Sequence, residues 1–326
     1  MNPDQALALF LTAVSISLPT FGWVVLGMVL ARVGWLPQAL NSRISELSFR
    51  FGLPVMLFSG AAQVDLASWG STRYVMAGVL STFVVLALSW RYSIWRGHAL
   101  HHRGIFVQAA YRSNLAIIGL ALAVAAYGEQ GTVLAALPVA LMTIVYNVLA
   151  VWVLNTTLGT STGVRSVVAG VLRNPLVIGI SAGIGFSLLP VPEPSWLSPM
   201  SRGLSAFFLP LMLVCIGGSM SLSRLYRADA LTWEASLWRL LVSPAIGVCL
   251  ALAMGVRDEA LGVLFLLLAT PVAVSGYVMV VAARGDGVLA ANITVLTTLL
   301  SIVTVTLGFF CLSMLALVGQ VAALAG

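Results

Sequence analysis

The chain has 326 residues, of which 60% are hydrophobic and only 8% are charged. A soluble domain of this length carries about a quarter charged residues, so this composition excludes a water-soluble globule and requires lipid around much of the surface. The net charge of +6 does not indicate nucleic-acid binding, because all sixteen basic residues are arginines, scattered one to three at a time in short loops.

Apolar runs between polar breaks predict ten membrane-spanning helices, since about 20 apolar residues cross the hydrocarbon as a helix. The predicted spans are 9–31, 44–63, 73–95, 105–127, 132–154, 172–190, 203–222, 237–255, 259–283 and 289–318. The N-terminus carries no positive segment, so we expect the first run to be a retained span and not a cleaved signal. Cys215, Cys249 and Cys311 lie far apart in apolar runs, which indicates neither a disulfide framework nor a metal site.

Arginine counts in the loops predict the orientation. With Arg112 placed inside the fourth span, one set of loops carries twelve arginines, Arg165 and Arg239 among them. The other set carries only three, which are Arg73, Arg202 and Arg257. Because arginine-rich loops stay in the cytoplasm, the twelve-arginine side is predicted to be cytoplasmic in an inner membrane. Both termini are then predicted to lie on the non-cytoplasmic side.

Two sequence matches indicate an internal repeat. Leu-Pro-Val-Met-Leu at 53–57 matches Leu-Pro-Leu-Met-Leu at 209–213, an offset of 156 residues, and 114–119 matches 271–276 at an offset of 157. The halves, 1–160 and 161–326, each hold five predicted spans, an odd number that requires opposite orientations. The predicted fold class is therefore an all-α integral membrane protein of ten transmembrane helices in two inverted five-helix repeats, forming one membrane domain. Inverted repeats are typical of secondary transporters.

The fourth and ninth spans are predicted to be broken and to cross near the midplane. Pro271 removes a backbone donor in the middle of the ninth span, and the matching part of the fourth span is polar, with Tyr111-Arg112-Ser113-Asn114. Arg112 is the only charge placed well within a predicted span rather than at its end, and a charge there is costly unless paired or hydrated. Its guanidinium suits a carboxylate or phosphate, so it is predicted to be the counter-charge of an anionic substrate. The alternative is a side chain that snorkels to the cytoplasmic interface.

The predicted substrate-binding residues are the polar groups and the proline at the two breaks: Arg112, Ser113, Asn114, Thr270, Pro271 and Ser275. Thr270 and Ser275 have a structural alternative as hydroxyls that bond the preceding turn. The predicted hinge residues are Asn114, Pro271, Pro54 and Pro210. Weaker candidates for the cavity or for contacts between helices are Ser59, Ser219, Asn147, Asn292 and Thr298.

Enzyme chemistry and metal binding are not expected. His98, His101 and His102 are interpreted as a solvated cytoplasmic loop, because no further ligand converges on them. There is no acidic pair within a predicted span, no P-loop and no GxSxG motif, so we expect no cofactor and no ATP-driven pumping by this chain alone. Transport is predicted to be passive or driven by an ion gradient.

Four motifs resemble those of the auxin efflux carrier family: 114–122 with Tyr127-Gly128-Glu129, 174–176 with Asn-Pro-Leu, 209–213 with Gly217-Gly218, and 269–279 with Thr-Pro-Val. The resemblance covers nearly the whole chain. This family includes plant auxin exporters and bacterial permeases assigned to malonate, malate and related carboxylates. It implies a scaffold and a transport subdomain, broken helices that cross at the substrate site, and elevator-like alternating access.

Within the resemblance, Asn114 and Pro271 match the family's crossover residues. Two positions depart from the family pattern. Ser113 stands where plant members have a proline, and Ala121 replaces a proline that many members carry. Whether the fourth span is broken therefore stays open, and a plant substrate cannot be transferred to this chain.

The resulting functional hypothesis is a bacterial inner-membrane carrier for a small organic anion, a carboxylate. Its expected partners are that substrate and the lipid bilayer; a proton or sodium coupling ion and a homodimer stay open. One alternative is a sodium- or proton-coupled symporter of a bulkier amphipathic anion on a related inverted-repeat fold. The other is a membrane sensor or assembly subunit that transports nothing. The absence of carboxylates within the spans counts against the symporter, and the polar crossover counts against the sensor.

Overall fold

The computed structural model describes residues 3–63, 72–159, 165, 168–169, 172–189, 194–220 and 229–319, and within these ranges the regular structure is helical. The first half contains α1 (Pro3–Arg32), α2 (Gln38–Leu47), α3 (Leu53–Ala62), α4 (Arg73–Trp95), α5 (Leu100–Tyr111) and α6 (Leu120–Leu158). The second half contains α7 (Pro175–Ser187), α8 (Leu197–Gly218), α9 (Ala230–Leu237), α10 (Ser243–Ala253), α11 (Asp258–Leu268), α12 (Val274–Ala282) and α13 (Gly287–Met314).

Three π-helical turns each lead directly into a helix, and two of them join consecutive helices. They are Ser48–Gly52 between α2 and α3, Leu115–Gly119 before α6, and Trp238–Val242 between α9 and α10. Pro54 and Pro244 each follow one of these turns by two residues. Because proline has no backbone N–H to donate, a local change in hydrogen-bond pattern lets the helix continue past it.

Among the described residues, six helical runs are long and apolar enough to cross a membrane: Asp4–Arg32, Arg73–Trp95, Leu115–Leu158, Pro199–Gly218, Ala230–Ala253 and Gly287–Met314. The chain is therefore a multi-pass membrane protein, as predicted. The run Leu115–Leu158 covers parts of two predicted spans. Gly128 lies between those parts with φ 59° and ψ −133°, a backbone conformation that essentially only glycine adopts.

The predicted eighth span, 237–255, was placed too late in the chain. The helical run begins at Ala230, after Asp229, whose side chain accepts a hydrogen bond from Thr232 N at 2.8 Å. Arg239 consequently lies well inside the run and not near its end, so the arginine count changes from twelve against three to eleven against three (12 − 1 = 11). The predicted orientation keeps its arginine bias.

Two interruptions separate short helices within the predicted fourth and ninth spans. The first interruption, residues 112–114, lies between α5 and the π-helical turn before α6, and the second, residues 269–273, lies between α11 and α12. The predicted fourth span is thus broken without a proline. The predicted ninth span is broken at Pro271.

Two sets of helices pack closely within themselves. In one set, α1 packs on α8 and α3 packs on α7; we call these four helices the α1–α8 group. Glycines permit this approach: a Cβ atom on Gly217 would lie 1.9 Å from Val24 O, and one on Gly179 would lie 2.4 Å from Pro54 O. In the other set, α4 packs on α5 and α10, α11 packs on α6, and α12 contacts α5 and α6; we call these six helices the α4–α12 group. Helix α13 contacts both α1 and α9.

Candidate functional site

The two interruptions lie side by side and bond to each other. Asn114 N donates to Pro271 O at 2.9 Å, and Ala273 N donates to Arg112 O at 3.3 Å. An isolated antiparallel bridge joins the residues between them. Backbone groups that leave a helix need partners within the protein, because lipid offers none. The pairing of the two interruptions supplies those partners, so each segment stabilises the extended conformation of the other.

We call the two paired interruptions the crossing. Arg239 bonds the ends of α5 and α11, the two helices that lead into it. Its Nη1 donates to Ala110 O in the last turn of α5 at 3.1 Å, and its Nη2 donates to Leu268 O at the end of α11. The side chain is completely buried. The role of Arg239 was not predicted, because its position near the start of an apolar run placed it among the cytoplasmic arginines. The available signal was Asp229, a typical N-cap residue that starts the helical run seven residues before the predicted span.

A cavity of about 500 Å³ lies against the crossing. The crossing contributes Arg112, Ser113, Asn114 and Ser275 to its wall, and the α1–α8 group with α2 contributes Ser42, Ser45, Leu176, Met212, Cys215 and Ser219. Asn174, which caps α7 through a hydrogen bond from Leu176 N, also lines it. Among the described residues that line this cavity, Arg112 carries the only charge.

Arg112 is 4% exposed and is held by neutral groups. Its Nη2 donates to Asn147 Oδ1 at 2.8 Å and to Ser275 Oγ at 3.1 Å. Among the described residues, none accepts a hydrogen bond from the buried Nε and Nη1 atoms, and none forms an ion pair with Arg112. A buried guanidinium without a counter-charge is energetically costly, and an anion in the cavity would offset that cost.

The other residues of the predicted binding set divide into two kinds. Ser113 lines the cavity, and its Oγ lies 3.0 Å from the hydroxyl of Tyr146, which also lines it. Thr270 is completely buried away from the cavity lining and donates to Leu267 O at 3.1 Å. Pro271 contributes its backbone carbonyl to the crossing. Thr297, which the sequence analysis did not single out, accepts a hydrogen bond from Val272 N at 3.2 Å and holds the second interruption against α13.

The predicted hinge prolines lie away from this cavity. Pro54 packs against Gly179 on α7, and Pro210 lies inside α8. Pro210 lines a second cavity of about 320 Å³, between α1, α6 and α8. Arg202 and Glu129 also line this second cavity, with Arg202 Nε 3.9 Å from Glu129 Oε2.

The five weaker candidates from the sequence lie in different parts of the structure. Ser219 lines the first cavity and accepts a hydrogen bond from Asn41 Nδ2 at 2.9 Å. Ser59 and Thr298 donate to backbone carbonyls of their own helices, at 2.7 Å in both cases. Asn292 is buried in α13. Asn147 is the member of this set that accepts a hydrogen bond from Arg112.

The interpretation of the histidines as a solvated loop is wrong for His98. Its Nε2 lies 3.1 Å from Glu234 Oε2, its Nδ1 lies 3.0 Å from Ser93 Oγ, and its side chain is 12% exposed. Glu234 also accepts a hydrogen bond from Arg96 at 2.5 Å, which raises the pKa of that arginine. His98 thus joins α4 to α9. Within the described ranges, no group of three or more histidine, cysteine or carboxylate side chains is arranged to hold a metal ion.

Comparison with known proteins gives one finding for the family. No curated protein sequence matches the chain. The family model described as "Membrane transport protein" matches residues 12–308, which is most of the chain and includes both interruptions and the residues around the first cavity. The chain therefore belongs to the membrane transport protein family, the auxin efflux carrier family that its motifs resemble.

Proposed function

We propose that this membrane transporter is a secondary carrier that moves a small organic anion, a carboxylate, across the bacterial inner membrane. The observation that carries the proposal is Arg112, the single charge among the described residues on the wall of a cavity of about 500 Å³. It is buried, bonded only to neutral groups and without an acidic partner in the described part of the chain. A carboxylate matches the fork geometry and charge of a guanidinium.

The proposed architecture is ten transmembrane helices in two inverted five-helix repeats, with the interruptions crossing near the midplane. One contact supports it. Asn114 and Pro271, which occupy equivalent positions at the offset of 157 residues, are hydrogen-bonded to each other at 2.9 Å. A pseudo-two-fold axis through the crossing would bring equivalent positions together in this way.

The proposed mechanism is elevator-like alternating access, in which the α4–α12 group moves the substrate past the α1–α8 group. Both cavities lie at the boundary between these groups. The cavity with Arg112 includes Ser42 and Asn174, which are adjacent in sequence to arginines of the arginine-rich side. The second cavity includes Arg202, from the other side. In the proposed mechanism, the cavity with Arg112 is the one that opens to the cytoplasm, as in an inward-facing state.

A thermal-shift screen of the purified protein tests the substrate class. We expect at least one mono- or dicarboxylate to raise the melting temperature of the wild type, because a ligand that binds only the folded state stabilises it. The same compound should not stabilise Arg112→Ala, whereas Arg257→Ala, which removes an arginine outside the cavity, should respond like the wild type. Repeating the screen with and without sodium, and across pH, identifies a coupling ion. If no carboxylate stabilises the wild type, the proposed substrate class is wrong.

Cysteine labelling tests the proposed orientation. The three native cysteines are first replaced by serine, and single cysteines are then placed at Arg73 or Arg165. A membrane-impermeant thiol reagent applied to intact cells should label the first site only, because the two positions are predicted to lie on opposite sides. Labelling of both sites before the cells are opened would contradict the topology.

A further inference from the structure

Each interruption brings two helix ends to the crossing: α5 and α11 end there, and the π-helical turn before α6 and helix α12 begin there. Helices α5 and α11 both finish there, so their last turns direct carbonyl oxygens toward one region. A helix C-terminus carries a partial negative charge equivalent to about half an elementary charge. The helices that begin at the crossing carry the opposite partial charge, and their first residues, among them Leu115, Val274 and Ser275, line the cavity. The carbonyl ends of α5 and α11 oppose that positive potential, so a positive charge bonded to them would favour an anion in the cavity.

Arg239 lies where this charge is needed. It reaches the crossing from the π-helical turn between α9 and α10 and donates to Ala110 O on one helix end and Leu268 O on the other. Ala110 is two residues before Arg112. Arg239 is completely buried, and no acidic residue in the described part of the chain forms an ion pair with it. Glu234, on the same helical run, is instead paired with Arg96 and His98.

Hydrogen bonding alone does not account for an arginine at this position. The neighbouring carbonyls at the same helix ends are satisfied by neutral donors: Thr270 Oγ1 donates to Leu267 O, and Arg112 N donates to Gln108 O. A neutral donor would also have avoided the cost of burying an unpaired charge. What Arg239 adds over such a donor is its charge, shared between the ends of both helices.

We propose that Arg239 is a positioning residue for the anion site. Its fixed positive charge offsets the partial negative charges of the α5 and α11 ends and holds them together, so that Arg112 faces the cavity in a potential that favours an anion. This inference rests on the proposed transport of an organic anion. It assigns to Arg239 no contact with the substrate.

Substitutions that separate charge from hydrogen bonding test the role through transport kinetics. In proteoliposomes, Arg239→Met should raise KM for the carboxylate by roughly tenfold, the effect of removing about 1.4 kcal/mol of favourable electrostatic free energy. Arg239→Lys, which keeps the charge, should stay within about threefold of the wild type. Arg239→Gln keeps two N–H donors without the charge and should resemble Arg239→Met; it also replaces that variant if Arg239→Met does not fold. Equal KM values for the lysine variant and the neutral variants would overturn the proposal.

Chemical rescue supplies a second measurement that does not depend on transport. Low millimolar guanidinium chloride should raise the melting temperature of Arg239→Ala by several degrees relative to the same concentration of choline chloride, because the free cation can occupy the space between the two carbonyls. Arg257→Ala is the matched control, since Arg257 donates to Val256 O and Leu252 O at the exposed end of α10. It should show no rescue.

The two measurements distinguish the two proposals. If the wild type transports no carboxylate but guanidinium rescues Arg239→Ala, the proposed substrate class is wrong. The proposal that the charge of Arg239 holds the ends of α5 and α11 together then stands. If guanidinium stabilises Arg239→Ala no more than it stabilises Arg257→Ala, the role assigned to Arg239 is wrong, whatever the wild type transports.

Discussion

Arg112→Ala is expected to abolish carboxylate uptake in proteoliposomes while the protein stays folded. The variant removes the only charge among the described residues that line the first cavity, and loss of one partner of a buried charge pair weakens binding by about 2–5 kcal/mol, or roughly 30-fold or more. The fold should tolerate the change, because Arg112 is buried without a counter-charge and removing it also removes that cost. Initial uptake rates and melting temperatures of the same preparations are the measurements.

Arg112→Lys is the matched control for this prediction. Lysine keeps the charge but cannot form the two parallel hydrogen bonds of a guanidinium with a carboxylate, so uptake should fall between those of the wild type and of Arg112→Ala. Asn147 and Ser275, which now accept from Nη2, should hold the shorter ammonium less well. Uptake by Arg112→Ala close to that of the wild type would refute the counter-charge role.

Gly217→Val is expected to prevent the protein from being isolated as a folded, monodisperse species. A Cβ atom at position 217 would lie 1.9 Å from Val24 O and 3.0 Å from Met28 N, so the added side chain meets the backbone of α1 and cannot be accommodated by a rotamer change. Separating α1 from α8 would cost at least about 3 kcal/mol of folding free energy, at the upper end of values for overpacked sites. Size-exclusion chromatography and melting temperature measure the effect.

Gly203→Val is the control on the same helix. A Cβ atom at Gly203 would meet nothing within 4 Å, so valine there should leave the melting temperature close to that of the wild type. Similar yields and melting temperatures for both variants would show that α1 and α8 are not packed as the structure has them.

The sequence predicted a membrane protein and the second interruption, because both features depend on local properties of the chain. Long apolar runs and the scarcity of charge require a membrane environment whatever the helices contact, and the family match confirms a membrane transporter. Pro271 interrupts a helix by itself, since it lacks a backbone N–H and its ring clashes with the preceding turn. Arg112 was recognisable for the same reason, as a charge within an apolar run.

The first interruption could not be predicted with the same certainty, because it has no residue that breaks a helix on its own. Ser113 and Asn114 are tolerated within helices, and this chain lacks the proline that plant members of the family carry at position 113. The extended conformation is stabilised by hydrogen bonds with Pro271 and Ala273, which are more than 150 residues away in sequence. Such a break depends on the partner segment being in place.

Composition and local pattern thus indicated a helical membrane protein with an arginine inside an apolar run and a proline-marked break, and the repeat and the family motifs indicated a transporter. Only the tertiary structure placed Arg239 at the same crossing, after the sequence analysis had assigned it to a cytoplasmic loop. An arginine near the end of an apolar run looks the same whether it faces water or reaches inward, and the run alone does not show where its guanidinium finds acceptors. The carbonyls of Ala110 and Leu268 provide them, and they come together only when α5 and α11 end against each other.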